Sequence, residues 1–119
     1  MQWDLILAHE QDPAWKYVRR FLDTKLTISQ FKKLFDFAKK KNFLTACTPF
    51  DENSVKVIEN FKFDFLKIAS VSANDFSLLN RVVKNRIPKI ISTGGLTILE
   101  IDKIVRIMSK NHQNFALMH

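Results

Sequence analysis

The sequence predicts an α/β domain built on a parallel sheet, and three observations carry that expectation. Three short apolar runs, Phe43-Leu44-Thr45-Ala46-Cys47-Thr48, Phe65-Leu66-Lys67-Ile68-Ala69-Ser70 and Lys89-Ile90-Ile91-Ser92-Thr93, each end in hydroxyl residues. The segments between them repeat apolar residues at helical spacing. The strand ends are evenly placed, with Thr48, Ser70 and Ser92 each 22 residues apart. Strands alternating with helices of this length imply parallel pairing through right-handed crossovers. The regular spacing suits a barrel of repeated units and is also compatible with a doubly wound open sheet.

A chain of 119 residues is one domain by length and long enough for a core. With 46% apolar residues and 11 Phe it is neither disordered nor membrane-spanning, because no apolar run approaches the roughly 20 residues a bilayer requires. The start, Met1-Gln2-Trp3-Asp4, lacks the layout of a signal peptide, so the expected address is the cytoplasm, with no membrane partner. The single cysteine, Cys47, cannot form an internal disulfide, which fits a reducing compartment. The formal charge of +7 admits a basic nucleic-acid-binding module. The densest basic groups, Lys32-Lys33 and Lys39-Lys40-Lys41, fall in one predicted helix, however, and read as its solvated face.

In chain order, residues 1–26 are a poorly defined segment with Trp3, Trp15, Tyr17 and Phe21 scattered among charges, in which Pro13 opens a short helix through Arg20. Thr27 or Ser29 caps a helix that places Ile28, Phe31, Leu34, Phe35 and Ala38 on one side and ends near Lys41-Asn42. A first strand spans Phe43 to Thr48, and Pro49 stops it. Asp51 to Ser54 cap a helix carrying Val55, Ile58 and Phe61. The second strand is Phe65 to Ala69. Asn74-Asp75 cap a helix whose buried side draws on Phe76, Leu78, Leu79, Val82 and Val83. The third strand runs from Lys89 to Thr93, and Gly94-Gly95 turn the chain into a helix, Thr97 to Lys110, with Ile98, Ile101, Ile104, Val105 and Met108 at helical spacing. Phe115 to His119 reads as a fourth strand.

Lys67 stands out, because an ammonium inside a buried strand must be paired, must face a ligand, or must snorkel to water. With the strands side by side, Thr48, Lys67, Ser70 and Ser92 gather at one end of the sheet, offering one cation and three hydroxyls. Converging donors and positive charge suit a small phosphorylated acid. Taken singly, the three hydroxyl residues read as capping or turn residues. Cys47 has no histidine partner and reads as a buried thiol. His9, His112 and His119 are far apart and without ligand spacing, so no metal site is visible; His119, at a strand end, is the best of them. Gly94-Gly95 could be an anion-binding turn or a simple one. Asp51 and Glu52 read as helix caps more readily than as catalytic carboxylates.

Thr48-Pro49-Phe50-Asp51, Lys67-Ile68-Ala69-Ser70, Ser92-Thr93-Gly94-Gly95 and Phe115-Ala116-Leu117-Met118-His119 together resemble the catalytic barrel of the N-acetylneuraminate (sialic acid) synthase family, from about Lys16 onward. The resemblance implies a partial (β/α) TIM-type barrel over residues 27–119, its four strands about half of the eight that a complete barrel takes. It also implies condensation of phosphoenolpyruvate with an N-acetylhexosamine such as N-acetylmannosamine, giving a nonulosonic acid. Thr48, Lys67, Ser70 and Ser92 would hold the phosphoenolpyruvate. A divalent manganese or magnesium ion is expected for the family, with its ligands outside this sequence. One departure stands in the matched region: many members carry a glutamate two residues after the equivalent of Ser70, where this chain has Ser72. A chain of this extent is expected to be a fragment, a truncated remnant or one half of a split synthase, and to self-associate or require a complementary barrel chain.

Overall fold

The computed structural model describes residues 15–119, in the order α1 (Trp15–Thr24), α2 (Ile28–Lys40), β1 (Ala46–Cys47), α3 (Glu52–Ile58), β2 (Phe65–Ile68), a single 3-10 turn (Ser70–Ser72), α4 (Phe76–Val82), β3 (Lys89–Ser92), α5 (Ile98–Lys110) and β4 (Phe115–Met118). The helix start expected at Pro13 lies outside the described residues, as do Trp3 and His9. The chain divides after Phe37 into two compact units.

Helix ends follow local chemistry. Thr27 rather than Ser29 caps α2: Gln30 N donates to Thr27 Oγ1 and Thr27 N donates back to Gln30 Oε1, a reciprocal box. At its other end Asn42 takes a left-handed φ of 58°. Asn42 N donates to Lys39 O and Phe43 N to Ala38 O, the paired bonds that close a Schellman turn. Helix α5 ends the same way, with His112 at φ 51° and bonds from His112 N to Ser109 O and Gln113 N to Met108 O. The imidazole of His112 is thus carried on an exposed helix cap.

In the second unit, Ala38–His119, the four strands form one parallel sheet in the order β1-β2-β3-β4, with helices in the crossovers. Leu66 pairs with Lys89 and Lys89 with Phe115, and Ile68 with Ile91 and Ile91 with Leu117. Because paired residues in a sheet share a face, these positions point to the helices. Leu66, Ile68 and Ile91 are fully buried there, against a core that includes Val55, Leu78, Leu79, Val82, Ile104 and Met108. The alternate set, Ala46, Phe65, Lys67, Ile90, Ser92, Ala116 and Met118, points the other way, away from that core. Ala46, Lys67, Ala116 and Met118 are exposed there. This is the arc of a TIM-type barrel, its helix layer outside and its strand interior open.

Two expectations need correction. The first strand is two residues long rather than Phe43 to Thr48, because the Phe43 amide is spent on the α2 cap and the Thr45 amide on a side chain. Asp64 Oδ2 accepts from Thr45 N at 2.6 Å, Thr45 Oγ1 at 2.9 Å and Lys39 Nζ at 2.7 Å, anchoring β1 from one carboxylate. Phe76 and Ile98 are exposed, since each opens its helix ahead of the first inward turn; Ile104 and Met108 carry α5 into the core. Ser70 to Ser72, between the expected strand and the expected helix, form a 3-10 turn.

Lys39 and the two Thr45 donors hold the Asp64 carboxyl down to about 2, from an ordinary 3.8. The unfolded chain therefore binds a proton between those values that the folded chain refuses, and stability falls as pH drops through the window. Asp64→Asn is expected to lower the urea midpoint at pH 5. The gap from the parent should close as pH falls from about 4 toward 2, since the parent then loses the charge that the variant already lacks.

Candidate functional site

The parallel ladder puts the carboxyl ends of all four strands on one edge of the sheet, where a barrel of this type carries its site. Ser92 is the last residue of β3 and shares the open face with Ile90 and Met118. Lys67 lies one residue before the end of β2, in register with Ile90 and, one strand further, Ala116. Thr48 follows β1 directly, and the alternation from Ala46 puts it on that same face. Ser70 has left the sheet and opens the 3-10 turn above β2. All four sequence-selected residues thus meet at one edge, the three hydroxyl residues half-buried and Lys67 exposed.

The premise that Lys67 is buried is corrected by this parity. Its neighbours Leu66 and Ile68 face the helices and are fully buried, so Lys67 projects onto the open face. The buried lysine is Lys89, at the opposite, amino end of the sheet, with 1% exposure. Its ammonium donates to Asn85 O at 2.6 Å and to Gln113 Oε1. Gln113 in turn donates through Nε2 to Val83 O and to Asn111 O, both at 2.9 Å. One lysine therefore ties the loop before β3 to the loop before β4, away from the strand ends that carry the candidate site. Sequence reasoning missed it, although Lys89, Ile91 and Thr93 sit at the alternate spacing of one buried face.

The helix starts at the site edge are already occupied by carboxylates. Asp51 Oδ1 accepts from Ser54 N at the start of α3, and Asp75 Oδ1 accepts from Leu78 N at the start of α4. At α5, Thr97 and Glu100 form a full capping box, and Glu100 Oε1 also accepts from Asn74 at 3.3 Å. The Thr97 and Asn74 donors hold the Glu100 carboxyl below its usual range. Gly94-Gly95 is thereby a turn, with Gly95 at φ 79° as a left-handed residue requires, leading into a helix start that already holds an anion. Asn74 and Asp75 serve as a tether and a cap. At the same edge Lys67 is exposed.

Three further residues are placed by the same geometry. Thr93, 3% exposed, donates through Oγ1 to Met118 O at 3.1 Å and lies 3.3 Å from His119 Nδ1. It continues the helix-facing set Lys89, Ile91, so His119 beside it belongs to that side and not to the face of Lys67 and Ser92. Cys47 shares the helix side with Leu66, and burial pushes its thiol up, away from nucleophilic use. Among the described residues no three His, Cys, Asp or Glu side chains converge to hold a metal. His112 and His119 stand at opposite ends of β4. The described residues therefore do not fit the divalent ion that the resemblance implies.

A sequence model described as the NeuB family matches residues 5–119. The chain belongs to the NeuB family. Among curated NeuB relatives, the N-acetylneuraminate-9-phosphate synthase of Drosophila melanogaster is 32% identical over 76% of this chain and 24% of its own length. The N,N'-diacetyllegionaminic acid synthase of Campylobacter jejuni is 31% identical over 80% of this chain and 29% of its own. In three dimensions, a spore coat polysaccharide biosynthesis protein E from Chromobacterium violaceum superposes with a TM-score of 0.88 at 36% identity, covering 97% of this chain and 33% of that one. An N-acetylneuraminic acid synthetase from Leptospira borgpetersenii, at 24% identity and a TM-score of 0.83, shares the fold. The chain spans about a quarter to a third of the length of these relatives. Among the described residues no helix is long and apolar enough to cross a membrane.

Burial, with Arg86 nearby, pulls the Lys89 ammonium down to about 8 from its ordinary 10.5. Between those values the unfolded chain holds a proton that the folded chain has released, so stability rises with pH across the window and the penalty is complete below it. Urea unfolding from pH 7.5 to 10 should show that rise, with a slope of at most ~1.4 kcal/mol per pH unit. In Lys89→Met the rise should vanish.

Proposed function

We propose that this chain supplies the phosphoenolpyruvate-binding strand ends of a nonulosonic acid synthase, a carbon–carbon bond-forming transferase of carbohydrate biosynthesis. The observation that carries the reading is Lys67, projecting onto the open sheet face at the edge where Thr48, Ser70 and Ser92 converge. The ammonium compensates phosphate charge, and three hydroxyls donate to phosphate and carboxylate oxygens. Close hydrogen-bonded contact with an ionised group is worth ~1.5–3 kcal/mol and with a neutral hydroxyl nearer ~1. Lys67 therefore dominates affinity and the hydroxyls dominate orientation.

In the condensation proposed, the enol carbon of phosphoenolpyruvate bonds to the aldehyde carbon of an N-acetylhexosamine such as N-acetylmannosamine. Water adds to the cationic centre left behind, and phosphate departs by carbon–oxygen cleavage. The part of this chain is to hold the phosphate throughout and to keep it charge-compensated as it leaves, at a site fixed on rigid strands. The open face contributes no carboxylate or imidazole from β1 to β4, and Ser72 stands where a glutamate is common, 8% exposed in the 3-10 turn. Acid–base chemistry and the sugar site then fall to the strands that complete an eight-stranded barrel. Those strands belong either to the remainder of a longer polypeptide or to a complementary chain, in the cytoplasm.

Titration calorimetry tests the binding claim. Lys67→Ala is expected to weaken phosphoenolpyruvate about 10- to 100-fold and Ser92→Ala about fivefold, with the loss at Lys67 shrinking at high salt. Equal affinity of the parent and Lys67→Ala would overturn it. The 119-residue chain alone, given phosphoenolpyruvate, divalent metal and N-acetylmannosamine, is expected to release no phosphate coupled to sugar-acid formation; stoichiometric release would contradict the division of labour.

A further inference from the structure

Of the four residues at the site edge, Ser70 is the one carried by a turn. Lys67 and Ser92 lie within paired strands and Thr48 follows β1 directly, whereas β2 ends at Ile68 and Ser70 opens the 3-10 turn beyond it. The backbone bonds of that turn are local: Ser72 N donates to Ala69 O at 3.0 Å, Ala73 N to Ser70 O at 3.2 Å and Asp75 N to Ser72 O at 3.1 Å. They set its shape without setting where it stands between its neighbours. Ala73, fully buried, and Ser72, 8% exposed, seat its base.

Two carboxylates reach the segment just after the turn from opposite flanks. Ser77 Oγ, in the first turn of α4, donates to Glu52 Oε1 at the start of α3, the helix that follows β1. Asn74 Nδ2 donates at 3.3 Å to Glu100 Oε1 in the first turn of α5, the helix that follows β3. With the strands in the order β1-β2-β3, one bond runs toward each neighbour. Helix capping does not account for either bond. Asp75 Oδ1 already caps α4 through Leu78 N, and Glu100 completes its own box through Oε2, which accepts from Thr97 N and Thr97 Oγ1 at 2.8 Å each. The Ser77 hydroxyl also holds the Glu52 carboxyl below its usual range.

Resting on the reading of Ser70 as a phosphoenolpyruvate-binding hydroxyl, we infer that Asn74 and Ser77 are positioning residues: through Glu100 and Glu52 they fix the turn sideways and keep the Ser70 hydroxyl within reach of a ligand held at Lys67. Neither side chain touches the ligand. A hydroxyl bond needs its partners within about 3 Å and weakens steeply when misaligned, so a turn free to shift toward α3 or α5 would lose it.

Calorimetry of the whole chain with phosphoenolpyruvate tests this. Ser70→Ala should weaken binding about fivefold, the worth of one neutral hydrogen bond. Asn74→Ala and Ser77→Ala should each cost about twofold, and the pair about three- to fivefold. Because the tethers act through Ser70, the pair should cost nothing further in Ser70→Ala, yet keep its full effect in Ser92→Ala. Ser77→Thr, which retains the hydroxyl, should bind as the parent does. Without ligand, hydrogen exchange at the Ser72 and Ala73 amides should quicken in the pair while Ile90 and Ile91 stay protected, which separates a loosened turn from an unfolded chain. Unchanged affinity in the pair, a loss that persists undiminished in Ser70→Ala, or exchange quickened equally in β3 would overturn the positioning role while leaving Ser70 as a ligand group. No loss in Ser70→Ala itself would overturn the reading on which the inference rests.

Discussion

The structure depends on the register of one parallel ladder, in which Leu66, Lys89 and Phe115 lie abreast, followed by Ile68, Ile91 and Leu117. Side chains alternate across a sheet with a period of two, so this register divides every strand residue between a helix-packed side and an open one. A slip of one residue would drive Lys67 into the core and expose Leu66 and Ile68, both fully buried here. Burial of such side chains is worth roughly 1.5–3 kcal/mol each. The same apolar packing that holds the helices on the sheet therefore aims Lys67 outward. Fold stability and the outward aim of Lys67 are consequences of one alternation.

The two lysines of β2 and β3 show how position within that alternation sets chemistry. Lys89, helix-facing at the amino end, is desolvated and held by Asn85 and Gln113, where it pins two loops. Lys67, open-facing near the carboxyl end, keeps its ammonium accessible to a ligand. Around it, the helices α3, α4 and α5 each start with their own carboxylate, Asp51, Asp75 and Glu100. Those carboxylates satisfy the helix amides internally.

Much of this was legible in the sequence because the signals were local and strong. The even spacing of Thr48, Ser70 and Ser92, the caps at Asp51 and Asp75, and the apolar periodicity of α4 and α5 all belong to single segments. The four residues Thr48, Lys67, Ser70 and Ser92 reach one edge because strand ends in a parallel sheet must. What escaped was decided between segments. Phe43 looks like a strand residue, and its amide is captured by the carbonyl of Ala38. Lys67 looks buried by its neighbours, and parity reverses that. The partnership of Lys89 with Gln113 joins residues 24 apart, with no spacing rule to announce it.

We propose that Lys67, and not Lys89, is the cation available to an anionic ligand. Lysine acetylation of the native chain, read peptide by peptide with and without saturating phosphoenolpyruvate, tests it most directly. Lys67 should be modified readily and become protected when phosphoenolpyruvate is present, while Lys89 stays unmodified until the chain unfolds. Modification of Lys89 in the folded chain, or a Lys67 signal indifferent to phosphoenolpyruvate, would contradict it.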